Sequence, residues 1–249
     1  MLSFMTILPK TKGKKVLLAT VSAVLAIALA VTLVVLLGGR REPDKTTLEK
    51  FIEQYGLVTP AECDGYYRYD SASDGEVSRG FIFYPDSRTS HEVYSPLMTL
   101  MVKKGIDCFI VDGKDADGVI AAHPEIEEWY VGGHGKGGMN AAEDVAASTS
   151  EIAGIVFLAS YSKTDLTSLD LRAYSLYGSE DGIMDVDEYH ASKENLPEAS
   201  EEYKIVGCNY SGFAIYERLS GDGEPTMDNI EQIVITARRV SAFMDNSEK

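Results

Sequence analysis

The alternation of apolar and polar positions divides the chain into one long apolar run and a region of short strands and helices. Residues 16–37 are an uninterrupted stretch of 22 residues without a charge, enough helix to cross a bilayer core of roughly 30 Å. Residues 42–60 are polar, with a brief helical spacing at Leu48, Phe51, Ile52 and Tyr55 that stops at Gly56. A strand at 66–69, a turn-rich segment at 70–75 and a buried-type strand at 80–84, closed by Pro85, come next. From there strands and helices alternate. The spacing predicts helices over 93–104 (stopped by Gly105), 116–122, from near Met139 onward, 187–196 and 229–244. Apolar strands are predicted at 106–111, from Trp129, and at 154–159, 172–177 and 203–206. Such a series predicts an α/β domain, its mostly parallel sheet covered by helices on both faces.

Charge refines the division. Lys10, Lys12, Lys14 and Lys15 precede the apolar run, while Arg40 and Arg41 follow it and are offset by Glu42 and Asp44. The positive-inside bias then places a basic tail (1–15) in the cytoplasm, a single-pass transmembrane anchor at 16–38, and a tether (39–62) and α/β domain (63–249) outside it. A cleaved signal peptide ending at Ala28-Leu29-Ala30 is the competing reading. The apolar run continues to Leu37, longer than a usual signal core, which favours the anchor. The net charge is −16, and the first 41 residues hold six basic side chains and no acid, so residues 42–249 carry −22 (−16 less six). A domain that acidic repels nucleic acid and anionic lipid surfaces.

Three cysteines, Cys63, Cys108 and Cys208, make no disulfide framework. Cys108 reads as a small core residue, and a Cys63–Cys208 bridge is open only outside the cytoplasm. None of the four histidines has metal-ligand spacing, so neither a metal nor a cofactor is called for.

The chemistry centres on the segment from Trp129 to Ala142, which reads as a strand, a glycine-rich corner and a helix. Its frame, Gly133-His134-Gly135-Lys136-Gly137, has the spacing of G-x-S-x-G, in which a serine nucleophile sits on a sharp strand-to-helix turn. Here the central residue is Gly135, which has no side chain to attack anything. Glycine tolerates the strained corner freely while deleting its chemistry.

Several motifs, in order along residues 65–245, resemble the α/β-hydrolase superfamily, specifically its dienelactone-hydrolase-like "alpha/beta hydrolase fold-5" type. They are Phe83-Tyr84-Pro85, the run Ala121-Ala122-His123-Pro124-Glu125 leading into the elbow, Leu158-Ala159-Ser160-Tyr161 and Tyr177-Gly178-Ser179-Glu180-Asp181-Gly182. The resemblance implies an α/β-hydrolase fold and a Ser, Asp, His triad in chain order. The nucleophile position falls on Gly135 and the acid on Asp181. The histidine position falls on Tyr210, within Gly207-Cys208-Asn209-Tyr210. It also implies an oxyanion or ligand cradle from the backbone N–H of Lys136 and one from Asp86-Ser87, with the Lys136 side chain filling the pocket or pairing with Asp181. A short connection, Asp112-Gly113-Lys114-Asp115, replaces a longer pocket-lining loop.

Tyrosine, with an ordinary pKa near 10, does not replace imidazole as a base near neutrality. Loss of triad members costs on the order of 10⁴ to 10⁶ in rate. The leading expectation is therefore a membrane-anchored, catalytically degenerate hydrolase relative, acting through a small ester or acid ligand or a protein partner. Two alternatives stay open. One is an active ester or lactone hydrolase using non-standard residues, such as a Ser211–Lys136 pair. The other is a purely structural envelope protein. His134 is expected to pack beside the elbow, and His123 and His190 to lie at the surface.

Overall fold

The computed structural model describes residues 39–71 and 79–245, together with Thr20, Val21, Val24, Leu25 and Ile27. The rest of the expected anchor at 16–38 and the basic tail lie outside the described residues. Among the described residues no helix is long and apolar enough to cross a membrane. The chain divides into two compact units between Arg40 and Arg41, and the second of them carries the α/β domain.

This second unit begins earlier than the expected boundary at residue 63. Asp44 accepts hydrogen bonds from the N–H groups of Thr46 and Thr47 and caps helix α1 (Lys45–Tyr55). The helix stops at Gly56, whose φ of 68° suits a residue without Cβ. Its Phe51 is fully buried in the main core. Residues 41–62 are thus part of the domain and not a free tether: Phe51, with Leu48 and Tyr55 packed partly buried beside it, docks the helix on the core. Strand β1 (Ala61–Cys63), short and mostly exposed, carries no apolar pattern, which is why the sequence does not predict it.

Among the described residues eight strands form one sheet: β1, β2 (Tyr66–Tyr69), β3 (Arg79–Tyr84), β4 (Ile106–Val111), β5 (Glu128–His134), β6 (Gly154–Leu158), β7 (Arg172–Gly178) and β8 (Ser200–Ile205). Their order is β1-β2-β4-β3-β5-β6-β7-β8. The β1–β2 and β2–β4 pairs are antiparallel, and every later pair is parallel. Central strands β4 and β6 are buried at every position, as strands covered on both faces must be. At the edge, β8 runs Ser-Glu-Glu-Tyr-Lys-Ile and is mostly exposed, which is why its apolar signal begins only at Tyr203.

Helices α1, α2 (Ser95–Val102) and α6 (Asn229–Met244) contribute to the core on one face; α3 (Ala116–Ala122) and α4 (Lys136–Ala147) contribute to that on the other. Helix α5 (Val186–Ala191) follows β7. The elbow helix α4 starts at Lys136 and not near Met139; Gly137 and Gly138 hide its first turn from a propensity reading. They are needed for close approach. A Cβ on Gly133 would lie 2.5 Å from the Gly137 carbonyl carbon, so strand and helix touch backbone to backbone. The unit therefore brings the ends of β3, β5, β7 and β8 to the carboxyl edge of the sheet, where open α/β sheets bind their ligands.

Candidate functional site

The elbow has the backbone of a nucleophile turn. Gly135, between β5 and α4, has φ 52° and ψ −121°, a conformation costing a side-chain-bearing residue about 1–3 kcal/mol. Its N–H donates to the Leu158 carbonyl (3.0 Å) and its carbonyl accepts from Ser160 Oγ (2.5 Å), so the corner is fixed on both sides.

The space where a nucleophile would stand is occupied. A Cβ built on Gly135 collides with Tyr210 Oη and lies 2.8 Å from Tyr210 Cζ and 2.9 Å from Asp86 Oδ1. The loop after β8 thus delivers Tyr210, and its hydroxyl takes the volume a serine side chain would need. Burial first, then the negative charge of Asp86, drive the Tyr210 pKa far above its ordinary value, and the phenol hydrogen-bonds to Asp86. This group cannot serve as a base near neutrality.

The oxyanion cradle is occupied as well. Asp86 Oδ1 accepts from Lys136 N (3.2 Å) and Ser87 N (2.7 Å). The resemblance implied an open cradle here. In the structure its two donors hold the chain's own carboxylate, and the Asp86 N–H points away, to Tyr94 Oη (3.1 Å). Asp86 Oδ2 pairs with Arg41 Nη1 at 3.0 Å. An anion at a helix N-terminus beside a guanidinium is well compensated, which explains how a carboxylate only 7% exposed is tolerated.

His134 packs against this plug. Its Nδ1 lies 2.9 Å from Tyr94 Oη, and its ring centroid is 4.3 Å from that of Tyr210. With Tyr94 accepting from Asp86 N–H, the tyrosine proton goes to Nδ1, which leaves the imidazole proton on Nε2, buried without a hydrogen-bond partner. Desolvation lowers the His134 pKa to about 4 despite the opposing charge of Asp86. It is a neutral packing residue, as expected.

Asp181 lies in the loop after β7, as the resemblance implied. Its Oδ1 accepts from the N–H groups of Ile183 and Met184, both at 2.9 Å, while Oδ2 is buried with no partner. A triad acid whose histidine is missing presents the same unfilled acceptor. Burial raises its pKa, and Asp222 adds to the effect. Lys136, in contrast to expectation, neither fills the pocket nor pairs with Asp181: its side chain is exposed, because the first turn of α4 points it outward. A Ser211–Lys136 pair is likewise not formed. Ser211 Oγ donates to Asp222 Oδ2 at 2.7 Å, and Leu219 N donates to Ser211 Oγ at 3.0 Å. His123 is buried, not superficial, with Nε2 2.8 Å from Tyr66 Oη and Nδ1 3.0 Å from Glu125. The three cysteines are free.

Two residues central to the site carry no signal in the sequence. Asp222 accepts from Ser211 N (2.8 Å), Gly182 N (3.1 Å) and Gly223 N (3.0 Å), joining the Asp181 loop to the Tyr210 loop. In the sequence it is one acid in a turn, Ser220-Gly221-Asp222-Gly223, with nothing to set it apart. Arg41 reads there only as a charge flanking the apolar run. Two clefts, of about 590 Å³ beside Arg41 and Tyr216 and about 690 Å³ beside Leu57 and Tyr67, open elsewhere on the unit; neither is lined by Gly135, Asp181 or Tyr210.

A family model described as "Alpha/beta hydrolase family" matches residues 80–234. The chain belongs to this family. No curated protein matches it in sequence. Among solved structures, the esterase domain of a Rhodothermus marinus protein is 8% identical with a TM-score of 0.56, over 76% of this chain and 96% of that one. An alpha/beta hydrolase fold protein from Chitinophaga pinensis is 11% identical with a TM-score of 0.55, over 76% and 98%. Est1E from Butyrivibrio proteoclasticus is 12% identical with a TM-score of 0.54, over 76% and 98%. These likenesses carry the fold. For this α/β-hydrolase, activity has to be argued from the site.

Proposed function

We propose that this α/β-hydrolase is catalytically degenerate and membrane-anchored, with its domain outside the cytoplasm, and that it acts by binding a small acid or ester or a protein partner. One observation carries the reading: the Tyr210 hydroxyl stands where the nucleophile of the elbow would be, over a glycine. An acyl-enzyme needs an attacking atom there, and a phenol held protonated by burial and by Asp86 does not supply one. The occupied cradle adds to this, since oxyanion donors committed to Asp86 are not available to a developing tetrahedral oxygen. Against the alternative of hydrolysis by non-standard residues, the neighbouring hydroxyls are already engaged, Ser160 with the Gly135 carbonyl and Ser211 with Asp222. The anchor rests on the uncharged run at 16–37 and the basic residues before it.

The test is direct. The purified full chain, incubated with short-chain p-nitrophenyl esters and separately with a fluorophosphonate probe, is expected to show neither turnover nor covalent labelling. Turnover that tracks the enzyme through purification and disappears on Asp181→Ala would overturn the degenerate reading.

A further inference from the structure

The plug is itself held from outside the elbow. Arg41 Nη1 donates to Asp86 Oδ2 (3.0 Å), the Ser87 carbonyl (3.0 Å) and Thr89 Oγ1 (3.2 Å). The Arg41 backbone docks along the same loop: its N–H donates to the Arg88 carbonyl (2.7 Å) and its carbonyl accepts from Ser90 N (3.0 Å). Three residues on, Asp44 N donates to the Ile215 carbonyl (3.2 Å). Residues 41–44 therefore strap the loop that carries Asp86 to the loop that follows Tyr210. The guanidinium is about one-third exposed, while the carboxylate it grips is nearly buried, so the grip is reachable from solvent through its cationic partner.

We infer that this strap is an autoinhibitory latch: Arg41 holds Asp86 as a built-in occupant of the Lys136/Ser87 cradle, and lifting the strap opens that cradle to an external carboxylate. The inference rests on the binding role proposed above. Asp86 is the model for the ligand, since one of its oxygens takes two backbone N–H groups and the other a guanidinium. A small free carboxylate meets the same donors once Asp86 swings away. The strap is the first segment of the compact unit, so a partner that engages residues 41–44 acts on Asp86 through Arg41.

The experiment follows amide exchange and propionate titration by NMR on the full chain in detergent micelles. In the native chain, propionate leaves the Ser87 and Lys136 amides unmoved. In Asp86→Ala it shifts both saturably. Arg41→Gln accelerates exchange of these two amides by about tenfold or more, because the closed population falls, while Val156 in the sheet centre keeps its native rate. Arg41→Lys, which keeps the charge but loses the planar fork, recovers part of the protection. Unchanged exchange at Ser87 and Lys136 in Arg41→Gln overturns the latch. So does acceleration shared equally with Val156, which marks a merely structural residue. Absence of a propionate shift in Asp86→Ala overturns the cradle. Ester turnover by the native chain would instead overturn the degenerate reading and leave the exchange results standing.

Discussion

Placing a single methyl group on Gly135 is the sharpest probe of the site. At φ 52° and ψ −121° a side-chain-bearing residue costs about 1–3 kcal/mol in backbone strain alone. The new Cβ also collides with Tyr210 Oη, and its neighbours at 2.8 Å (Tyr210 Cζ) and 2.9 Å (Asp86 Oδ1) leave it no room on either side. Forcing a methyl into a packed site costs about 1–3 kcal/mol. Gly135→Ala is therefore expected to destabilise by roughly 2–6 kcal/mol, a large share of the 5–15 kcal/mol typical of a domain. Urea unfolding of the variant set gives the number. The decisive measurement is the cycle with Tyr210→Ala. Removing the ring relieves the collision with Tyr210 but neither the backbone strain of about 1–3 kcal/mol nor the 2.9 Å approach to Asp86 Oδ1, so in that background Gly135→Ala should cost less than in the native chain by the overpacking against the ring. Tyr210→Phe relieves less, because Cζ stays. A coupling below about 0.5 kcal/mol would mean that Tyr210 does not occupy the nucleophile space.

Three further outcomes rest on the same geometry. His134, with its pKa lowered from 6.5 to about 4, keeps its stabilising contribution above pH 6.5 and loses it as pH falls, levelling off below about 4. The span is worth about 3 kcal/mol, and His134→Gln should flatten the stability profile between about pH 6.5 and 5; Asp181, its pKa raised by burial, acts in the opposite sense and is common to both proteins, so the difference between them reads the histidine alone. An unchanged slope in urea midpoints would refute the histidine assignment. Asp222→Ala leaves the N–H groups of Ser211, Gly182 and Gly223 without their acceptor, and should cost about 3 kcal/mol and expose the Tyr210 loop to limited proteolysis. Phe51→Ala should lower stability by about 3–5 kcal/mol if α1 belongs to the domain core, against a fraction of that for a true tether, as urea unfolding would read it.

What the sequence reveals of this molecule tracks burial. Strands such as β4 and β6, covered on both faces, appear as unbroken apolar runs, and they place the sheet, its parallel direction and the elbow. Elements that need little apolar surface escape: β1, with exposed positions at Ala61 and Glu62, and the start of β8, whose acidic residues face solvent at the edge; α1 is legible as a helix, from Leu48, Phe51, Ile52 and Tyr55, but not as part of the domain. The glycine pair 137–138 lowers helix propensity where backbone contact with Gly133 demands it, so the helix start is read three residues late. At the site, residues tied by spacing to a motif are legible: Gly135, Asp181 and Tyr210 lie in the connections that follow β5, β7 and β8. Arg41 and Asp222 are not legible. Each acts across ten or more residues of intervening chain on a group no motif pairs it with, Arg41 on Asp86 and Asp222 on Ser211 and Gly182.

On the degenerate reading proposed above, the residues at 135 and 210 are not two separate losses but one exchange. The hydroxyl that the elbow lacks is supplied by the residue standing at the base position, and the anion that a transition state would bring to the cradle is supplied by Asp86. Glycine at 135 is what makes room for tyrosine at 210. On that reading, installing activity takes more than one substitution. Gly135→Ser alone collides with Tyr210, and Tyr210→His alone has nothing to activate. The pair Gly135→Ser/Tyr210→His supplies a nucleophile and a base at the two positions, with Asp181 Oδ2 buried and unpartnered in the neighbouring loop after β7. It still leaves Asp86 on the Lys136 and Ser87 amides. Since one oxyanion donor is worth about 10²–10³ in kcat, the double variant should turn over p-nitrophenyl acetate at least about 10²-fold more slowly than the triple variant that adds Asp86→Ala. Equal rates for the double and triple variants would show that Asp86 leaves the cradle without resistance, and the site would then be an unplugged frame missing two residues, not one repacked around its own side chains.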